Sequence, residues 1–357
     1  MRADSHAGRT SHTFISVTLS LRRALCVTAL ALAPGLVSAQ PTGIELSGLA
    51  FIDYAYIVSD EDPDLEGANS FDYRRIYLTA DSRLSDDVRV RVRLEAIGQA
   101  TTAAGRPSPF VKDVWVRWQY AESGHRATLG VQPPPLFDFT ESVWGYRSLD
   151  RTVMDRSRIR SSRDFGVRLD GPLALGGDLQ YHAMVGNGRG VRPEAEGEEG
   201  KHVYGQVTLR RGALRASLGA DYTARIPNLP DAERQSGARV SGLVGAVTDR
   251  VRGGVEVFYN HAESDRAGLD SRDGIGVSVF GAVDTSARTS VIARYDYLDP
   301  DVAFSGSQIT DTDEHYLLAA VAYRPLPALA LMPNVIATFP DGEDPSVVAR
   351  VTADVRF

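Results

Sequence analysis

The stretch Val351-Thr352-Ala353-Asp354-Val355-Arg356-Phe357, with which the sequence ends, alternates strictly between apolar and polar side chains. Successive side chains of a β-strand point to opposite faces of a sheet, so a period of two indicates a strand with two unlike faces. The apolar face of this strand ends on an aromatic residue, Phe357. The stretch therefore predicts an amphipathic β-strand.

The same alternation extends through the preceding sequence, where turn-forming residues divide it into sixteen candidate strands. They span residues 43–58, 70–84, 87–99, 110–121, 124–132, 163–173, 177–188, 202–211, 213–224, 237–248, 250–261, 273–285, 287–298, 314–324, 328–339 and 346–357. The links between them are alternately short and long, with seven short turns and eight longer loops. Short turns at one end and longer loops at the other are typical of an up-and-down β-barrel, whereas a soluble sandwich does not keep two classes of connection in strict alternation.

The side-chain pattern indicates that this barrel lies in a membrane. No stretch beyond residue 40 has the roughly 18 continuous apolar residues of a membrane-spanning helix, and a closed barrel is the other structure that satisfies its backbone in lipid. In residues 87–95, valines and a leucine alternate with Arg89, Arg91, Arg93 and Glu95. An arginine facing lipid at the bilayer midplane costs roughly 2–4 kcal/mol, so these arginines are expected to face water. The prediction is an all-β fold, a transmembrane antiparallel barrel of sixteen strands.

The first 39 residues have the pattern of a secretory signal peptide. Arg22-Arg23 precede the apolar residues 24–33, and Val37-Ser38-Ala39 forms a small-x-small cleavage site. We expect cleavage after Ala39 and a barrel domain over residues 40–357. The alternative is an uncleaved membrane anchor.

The composition bears on partners and chemistry. Residues 1–39 hold four of the 39 basic and one of the 46 acidic side chains, which leaves 35 and 45, a formal net charge of −10 that disfavours nucleic acid as a partner. The single cysteine, Cys26, lies in the same segment, so disulfides and thiolate sites are not expected in the barrel. No histidine pair has metal-type spacing, and Asp313-Glu314-His315 has no nucleophile beside it. We expect no enzymatic activity and no cofactor.

The longest link, residues 133–162, is the candidate functional segment. From Arg147 to Arg163 the chain has six arginines against Asp150 and Asp155, a local charge of +4. We expect this third long loop to fold into the barrel and constrict its lumen, where arginines favour anions; the alternative is an ordinary solvated outer loop. The candidate pore-lining and anion-binding residues are Arg75, Arg91, Arg93, Arg117, Arg147, Arg151, Arg156, Arg158 and Arg163.

Five short segments, in this order along the chain, resemble the phosphate-selective porin O and P family of bacterial outer-membrane porins. They are Phe71-Asp72-Tyr73-Arg74-Arg75-Ile76-Tyr77-Leu78, Gly130-Val131-Gln132-Pro133-Pro134-Pro135-Leu136-Phe137, Met154-Asp155-Arg156, Arg163-Asp164-Phe165-Gly166-Val167 and Val185-Gly186-Asn187-Gly188. The final strand, ending on Phe357, resembles the segment that the barrel-assembly machinery recognises in outer-membrane barrels.

The resemblance implies a function and a setting. It implies a homotrimer in the bacterial outer membrane, in contact with lipid and lipopolysaccharide, through which small anions or other hydrophilic solutes diffuse. The family's phosphate specificity relies on a lysine cluster, whereas Lys112 is the only lysine in the resembling half of this chain. The missing cluster disfavours phosphate specificity. The basic stretch from Arg147 to Arg163, set against inward Asp113 and Glu95 and the net charge of −10, predicts a mild preference for anions. The alternative is a structural or adhesive barrel with a sealed lumen.

Overall fold

A computed structural model describes residues 43–98, 107–158, 161–188, 190–191, 201–223, 235–264, 271–299 and 313–357. Sixteen antiparallel strands pair in sequence order, and the first pairs with the last to close a barrel. The predicted fold class is confirmed, and every strand lies within three residues of its predicted bounds. The predicted signal peptide, residues 1–39, lies outside the described residues.

The strands are β1 Ile44–Ser59, β2 Asn69–Arg83, β3 Val88–Ala96, β4 Phe110–Gln119, β5 Arg126–Gln132, β6 Asp164–Ala174, β7 Leu179–Gly186, β8 His202–Arg211, β9 Leu214–Thr223, β10 Gln235–Val247, β11 Val251–Ser264, β12 Arg272–Asp284, β13 Thr289–Leu298, β14 Glu314–Leu326, β15 Leu329–Pro340 and β16 Ser346–Arg356. Between β5 and β6 lie two short helices, α1 Asp138–Trp144 and α2 Val153–Arg156. Single 3₁₀ turns occur at Pro63–Leu65 and Leu175–Gly177.

The two faces of the barrel differ as the alternation predicts. On β4, Val114, Val116 and Trp118 are exposed on the outer face, whereas Asp113 and Trp115 are buried on the inner face. An apolar exterior around a closed sheet suits a hydrocarbon surrounding, because closure leaves no unpaired strand edge. Within the described ranges, no helix is both long and apolar enough to cross a bilayer.

Backbone hydrogen bonds and one aromatic ring close the barrel at its seam. The Gly48 amide donates to the Phe357 carbonyl at 2.6 Å, and the Phe357 amide donates back to the Gly48 carbonyl at 3.1 Å. The Phe357 ring lies directly over Gly48, where a Cβ atom would be 2.2 Å from two ring carbons. Glycine at position 48 is therefore required for the terminal ring to lie flat against β1.

The L3 loop, whose described part we define as residues 133–158 and 161–163, folds into the barrel. Phe137, Trp144, Leu149 and Met154 are each at most 1% exposed and pack against inner-wall side chains. The prediction of an inward loop is confirmed, and a solvated outer loop is ruled out.

Replacing Gly48 tests the seam. In Gly48→Ala the new methyl group meets the Phe357 ring, and we expect a loss of about 1–3 kcal/mol, the usual effect of overpacking. The readout is the temperature at which the folded, fast-migrating band on a gel converts to the unfolded band. Gly205→Ala on β8 is the control, because its Cβ would meet open space. Equal conversion temperatures for both variants and the parent would contradict this account of the seam.

Candidate functional site: an arginine-lined passage beside the L3 loop

The L3 loop is attached to one side of the barrel by an apolar patch on the inner wall. Trp144 packs edge-on against Phe280 of β12, with ring centroids 5.3 Å apart. The patch consists of Leu243, Phe280, Ala282, Ile292, Tyr316, Leu318, Ala320, Ala322 and Met332, from β10 and β12–β15. Burying large apolar side chains stabilises each by roughly 1.5–3 kcal/mol, so the loop is fixed against this half of the wall.

Wall arginines fix the loop by donating to its backbone carbonyls. Arg350 of β16 donates to the Leu149 carbonyl at 2.6 Å, and Arg74 of β2 donates to the same oxygen at 3.1 Å. Arg74 also donates to the Ser148 carbonyl, and Arg294 of β13 to that of Arg151. These charge-assisted hydrogen bonds satisfy carbonyls that have no regular secondary structure to pair with.

Three adjoining cavities lie between the L3 loop and the opposite, polar half of the wall. An outer cavity of about 290 Å³ faces the long loops, a middle cavity of about 180 Å³ lies beside the loop, and an inner cavity of about 870 Å³ faces the short turns. Arg75 and Arg147 line both the outer and middle cavities, and Arg93 and Arg163 line both the middle and inner ones. The cavities thus adjoin one another along the L3 loop, and we call the three together the passage.

The structure places all nine candidate arginines along this passage. Five line the outer cavity, four the middle cavity and four the inner cavity, with four of them shared between neighbouring cavities. The outer set is Arg75, Arg147, Arg151, Arg156 and Arg158; the middle set is Arg75, Arg93, Arg147 and Arg163; the inner set is Arg91, Arg93, Arg117 and Arg163.

Two β-bulges bring in basic residues that strict alternation would direct outward. In β2 the register passes from Arg75 to Tyr73, so Arg74 is an extra residue and its side chain is directed inward like that of Arg75. In β4 it passes from Asp113 to Val111, and Lys112 is directed inward in the same way. Sequence analysis did not identify Arg74 or Lys112 as pore-lining. The signal in the sequence was a pair of adjacent charged residues within an amphipathic strand, Arg74-Arg75 in β2 and Lys112-Asp113 in β4. A bulge lets both members of such a pair face the lumen.

Several of the basic side chains are held by carboxylates buried behind them. Glu95 contacts both Arg75 and Lys112 at 2.6 Å, and Asp113 contacts Arg93 at 3.2 Å and also Arg163. We call such a carboxylate, contacted by two basic side chains, a shared carboxylate. Asp53 with Arg74 and Arg350, and Asp296 with Arg156 and Arg294, have the same arrangement.

Each shared carboxylate with its two cations has a net charge of +1, except that Arg156 of the Asp296 group also contacts Glu314, which makes that group neutral. The four carboxylates are at most 4% exposed, whereas Arg74, Arg93 and Arg156 retain 16–26% exposure towards the lumen. A solute in the passage therefore meets guanidinium groups more than carboxylates. Because the carboxylates remain within a few ångströms, they reduce the positive potential without removing it.

Two aromatic rings lie among these cations. Arg91 and Arg117 approach the Trp115 ring, with guanidinium carbons 5.3 and 4.5 Å from its centroid. Three cations approach the Tyr77 ring at 4.9–5.5 Å, namely Arg75, Arg93 and Lys112. Cation–π contacts restrain the long side chains and leave their charge in place.

Two arginines of the L3 loop differ from the rest. Neither Arg151 nor Arg158 has an ion-pair partner among the residues that the structure describes, and both line the outer cavity. The outer cavity as a whole is lined by six arginines against one carboxylate, that of Asp150. The most basic part of the passage is therefore its outer end.

Comparison with known proteins finds similar solved structures, and these identify the fold. No protein-family model matches the chain, and neither does any curated protein. Among solved structures, an anion-selective porin from Comamonas acidovorans matches with a TM-score of 0.67 at 13% identity, covering 89% of this chain and 100% of that one. The outer-membrane channel DcaP of Acinetobacter baumannii matches with a TM-score of 0.64 at 14% identity, covering 91% and 100%. OmpF of Salmonella typhi, solved with daunomycin, matches with a TM-score of 0.62 at 12% identity, covering 88% and 97%.

These matches show that the chain has the fold of outer-membrane porins. A closed barrel with an apolar exterior is the architecture of bacterial outer-membrane proteins, which confirms the predicted location. At 12–14% identity the structural likeness shows the fold alone. Membership of the phosphate-selective family, suggested by the sequence motifs, therefore stays a prediction.

Neutralising a shared carboxylate should strengthen anion preference. In Glu95→Gln, Arg75 and Lys112 lose the charge that offsets them. A unit charge about 6 Å from a passing ion in water contributes roughly 0.7 kcal/mol, with opposite sign for an anion and a cation. Losing the charge of Glu95 therefore changes the energy difference between the two ions by about 1.4 kcal/mol, so the anion-to-cation permeability ratio should rise about tenfold. The readout is the reversal potential in a salt gradient. Glu122→Gln removes the same charge from an exposed turn that lines none of these cavities and should leave the ratio unchanged. Equal shifts in both variants would contradict a local role for Glu95.

Proposed function

We propose that this protein is a passive diffusion channel of the bacterial outer membrane for small hydrophilic solutes, with a mild preference for anions. The observation that carries the proposal is the series of three adjoining cavities beside the L3 loop, each lined by basic side chains. Barrels of about sixteen strands enclose an aqueous channel, and a loop folded inside narrows it. The Comamonas acidovorans porin of the same fold is described as anion-selective, which supports the sign of the preference.

Charge along the passage sets the strength of the preference. The inner cavity is lined by eight arginines and six carboxylates, so its excess of positive charge is small. The middle cavity contains the only lysine of the passage, Lys112, and this lysine is bound to Glu95. A cluster of free lysines is absent from the described part of the passage, and we infer no specificity for phosphate over other small anions.

The remaining inferences from sequence accompany this proposal. We propose that the signal peptide is cleaved after Ala39, that the assembly machinery recognises the strand ending on Phe357, and that the barrel forms a homotrimer in contact with lipid and lipopolysaccharide. We also infer that the protein has no enzymatic activity. Within the described residues there is no group of three acidic, histidine or cysteine side chains that would hold a metal ion.

Single-channel recording separates the channel from a sealed structural or adhesive barrel. Purified, folded protein reconstituted into a planar bilayer should produce discrete current steps whose size grows with salt concentration. Folding is verified beforehand by the heat-dependent shift in gel migration. Folded, inserted protein without current steps would favour the sealed barrel.

Arg151 and Arg158 should account for a large part of the anion preference, because neither has an ion-pair partner among the described residues. The double variant Arg151→Ala, Arg158→Ala should shift the reversal potential in a salt gradient towards the cation side. Salt screens distant charges over about 10 Å at 0.1 M, so the shift should be largest in dilute salt. The control is Arg211→Ala, Arg288→Ala, which removes two exposed arginines near the short turns. A double variant with the parent's reversal potential would show that these two arginines do not act on the permeating ion.

A further inference from the structure

A fourth cavity lies between the L3 loop and the short-turn end of the barrel. We call it the side cavity; it is bounded by Tyr146, Arg252, Arg324 and Met332 and has a volume of about 330 Å³. None of the described residues that line it also lines the inner cavity. It adjoins the middle cavity instead, through four residues that line both: Gly145, Ser148, Asp354 and Arg356. The side cavity is therefore a separate branch of the lumen.

Much of the lining of the side cavity is apolar. The turn between β14 and β15 and the start of β15 contribute five such residues: Pro327, Ala328, Leu329, Ala330 and Met332. Tyr146 of the L3 loop adds an aromatic ring, which is 5% exposed and packs edge-on against Trp144 with centroids 5.7 Å apart. A cavity of roughly 300 Å³ or more with a largely apolar lining and a few polar groups is the usual form of a site for a small organic ligand.

Two arginines of the barrel wall lie against the Tyr146 ring. The guanidinium carbons of Arg252 and Arg324 are 5.9 and 5.8 Å from its centroid. Arg324 donates to the Tyr146 hydroxyl at 3.3 Å and to the Ser290 hydroxyl at 2.8 Å. Neither arginine forms an ion pair with a carboxylate of the described residues. Both therefore present charged N–H donors to the side cavity.

The end of helix α1 leaves room for the Arg252 side chain. Its Nη1 atom lies over Gly145, where a Cβ atom would be 1.6 Å away. Gly145 also has a φ of 74°, in the left-handed region that favours glycine. Glycine at this position thus serves the turn that ends the helix and the close approach of the guanidinium group.

The carboxylates of the side cavity already have partners. Asp354 forms an ion pair with Arg356 at 3.2 Å, and Asp284 accepts a hydrogen bond from the Ser290 hydroxyl. Among the described residues that line the cavity, three arginines face two carboxylates, a net charge of +1. A single negative charge on a bound solute would balance this lining.

The side cavity thus combines two unpaired guanidinium groups, one surplus positive charge and an apolar surface. We propose that it binds small aromatic monocarboxylates, with the carboxylate between Arg252 and Arg324 and the ring against Tyr146 and the apolar residues of β15. The planar fork of N–H donors on a guanidinium group matches a carboxylate, and the bound ring removes apolar surface from water. A second negative charge on the ligand would lie near Asp284 or Asp354 without a cation to balance it.

This inference deepens the proposed function, because it gives a diffusion channel a site for one class of anion. Only its electrical consequence rests on the proposed function: filling the site balances the surplus charge beside the middle cavity, so chloride conductance falls to a plateau as the ligand concentration rises. Binding itself is measurable in detergent without any current.

The first test is fluorine NMR of para-fluorobenzoate added to the folded protein in detergent, with protein-free micelles as the blank. The resonance should report a single saturable site per chain. Unlabelled benzoate should displace the probe. Acetate has the carboxylate without the ring, and benzyl alcohol has the ring without the charge. Each should compete at least about tenfold more weakly than benzoate, since each lacks one of the two contributions.

The second test compares two variants that each lose one guanidinium group. Arg252→Gln should raise the dissociation constant of para-fluorobenzoate at least about tenfold, because a charged donor to the carboxylate is lost. Arg89→Gln is the matched control, since Arg89 lines the inner cavity and not the side cavity. It should bind the probe like the wild type. If Arg252→Gln does not fold, Ala330→Glu takes its place, because it puts a competing carboxylate into the side cavity.

Several results would overturn the proposal. They are a wild type that does not bind the probe, an equal loss of binding in Arg89→Gln and Arg252→Gln, and competition by acetate or benzyl alcohol as strong as that by benzoate. The last two would indicate a general anion site or a merely apolar one. If the protein binds the probe and does not conduct, the channel function fails and the site stands. If it conducts and does not bind the probe, the channel function stands and the site does not.

Discussion

The passage depends on the pairing of one buried carboxylate with two basic side chains. A lone guanidinium inside a narrow lumen would repel its neighbours, and a simple ion pair would cancel its own charge. Two cations on one carboxylate hold both side chains in place and leave one positive charge over. The arrangement at Glu95 and Asp113 places two carboxylates among four cations, three of which surround the Tyr77 ring. The same contacts therefore give the passage its positively charged lining and hold the side chains of the wall in place.

The second determinant of the passage is the asymmetry of the inner wall. Apolar side chains on β10 and β12–β15 fix the L3 loop, whereas the half formed by β2–β5 is charged and open. The loop therefore narrows the lumen from one side only. The cavities lie along the charged half, with the loop's own Arg147 and Arg163 facing the same cavity as the arginines of β2 and β3.

The fold was predictable from sequence, and the site was predictable in part. Alternation determines which side chains of a strand face the lumen, because shifting the strand by one residue would point Arg91 and Arg93 towards the lipid. Loop length and charge identified the L3 loop and its arginines. The bulges at Arg74 and Lys112 were missed because each interrupts the alternation of its strand locally. The apolar patch on the inner wall was missed because Phe280 and Leu318 make both faces of their strands apolar, so the sequence does not show which face is inside. The ion-pair partners were not predictable, because they depend on the register in which neighbouring strands pair. The sequence of a single strand does not specify that register.

The seam between β1 and β16 has a consequence for the order of assembly. The Thr352 hydroxyl donates to Asp53 at 2.6 Å across 299 positions of sequence, and Asp53 also binds Arg74, which holds two carbonyls of the L3 loop. Arg350, beside Thr352, holds the loop as well. Strand β16 therefore completes the seam and also adds Arg350 to the contacts that hold the L3 loop. A barrel in which β16 has not yet paired lacks both the seam and this anchor, so we expect its constriction to be less firmly held.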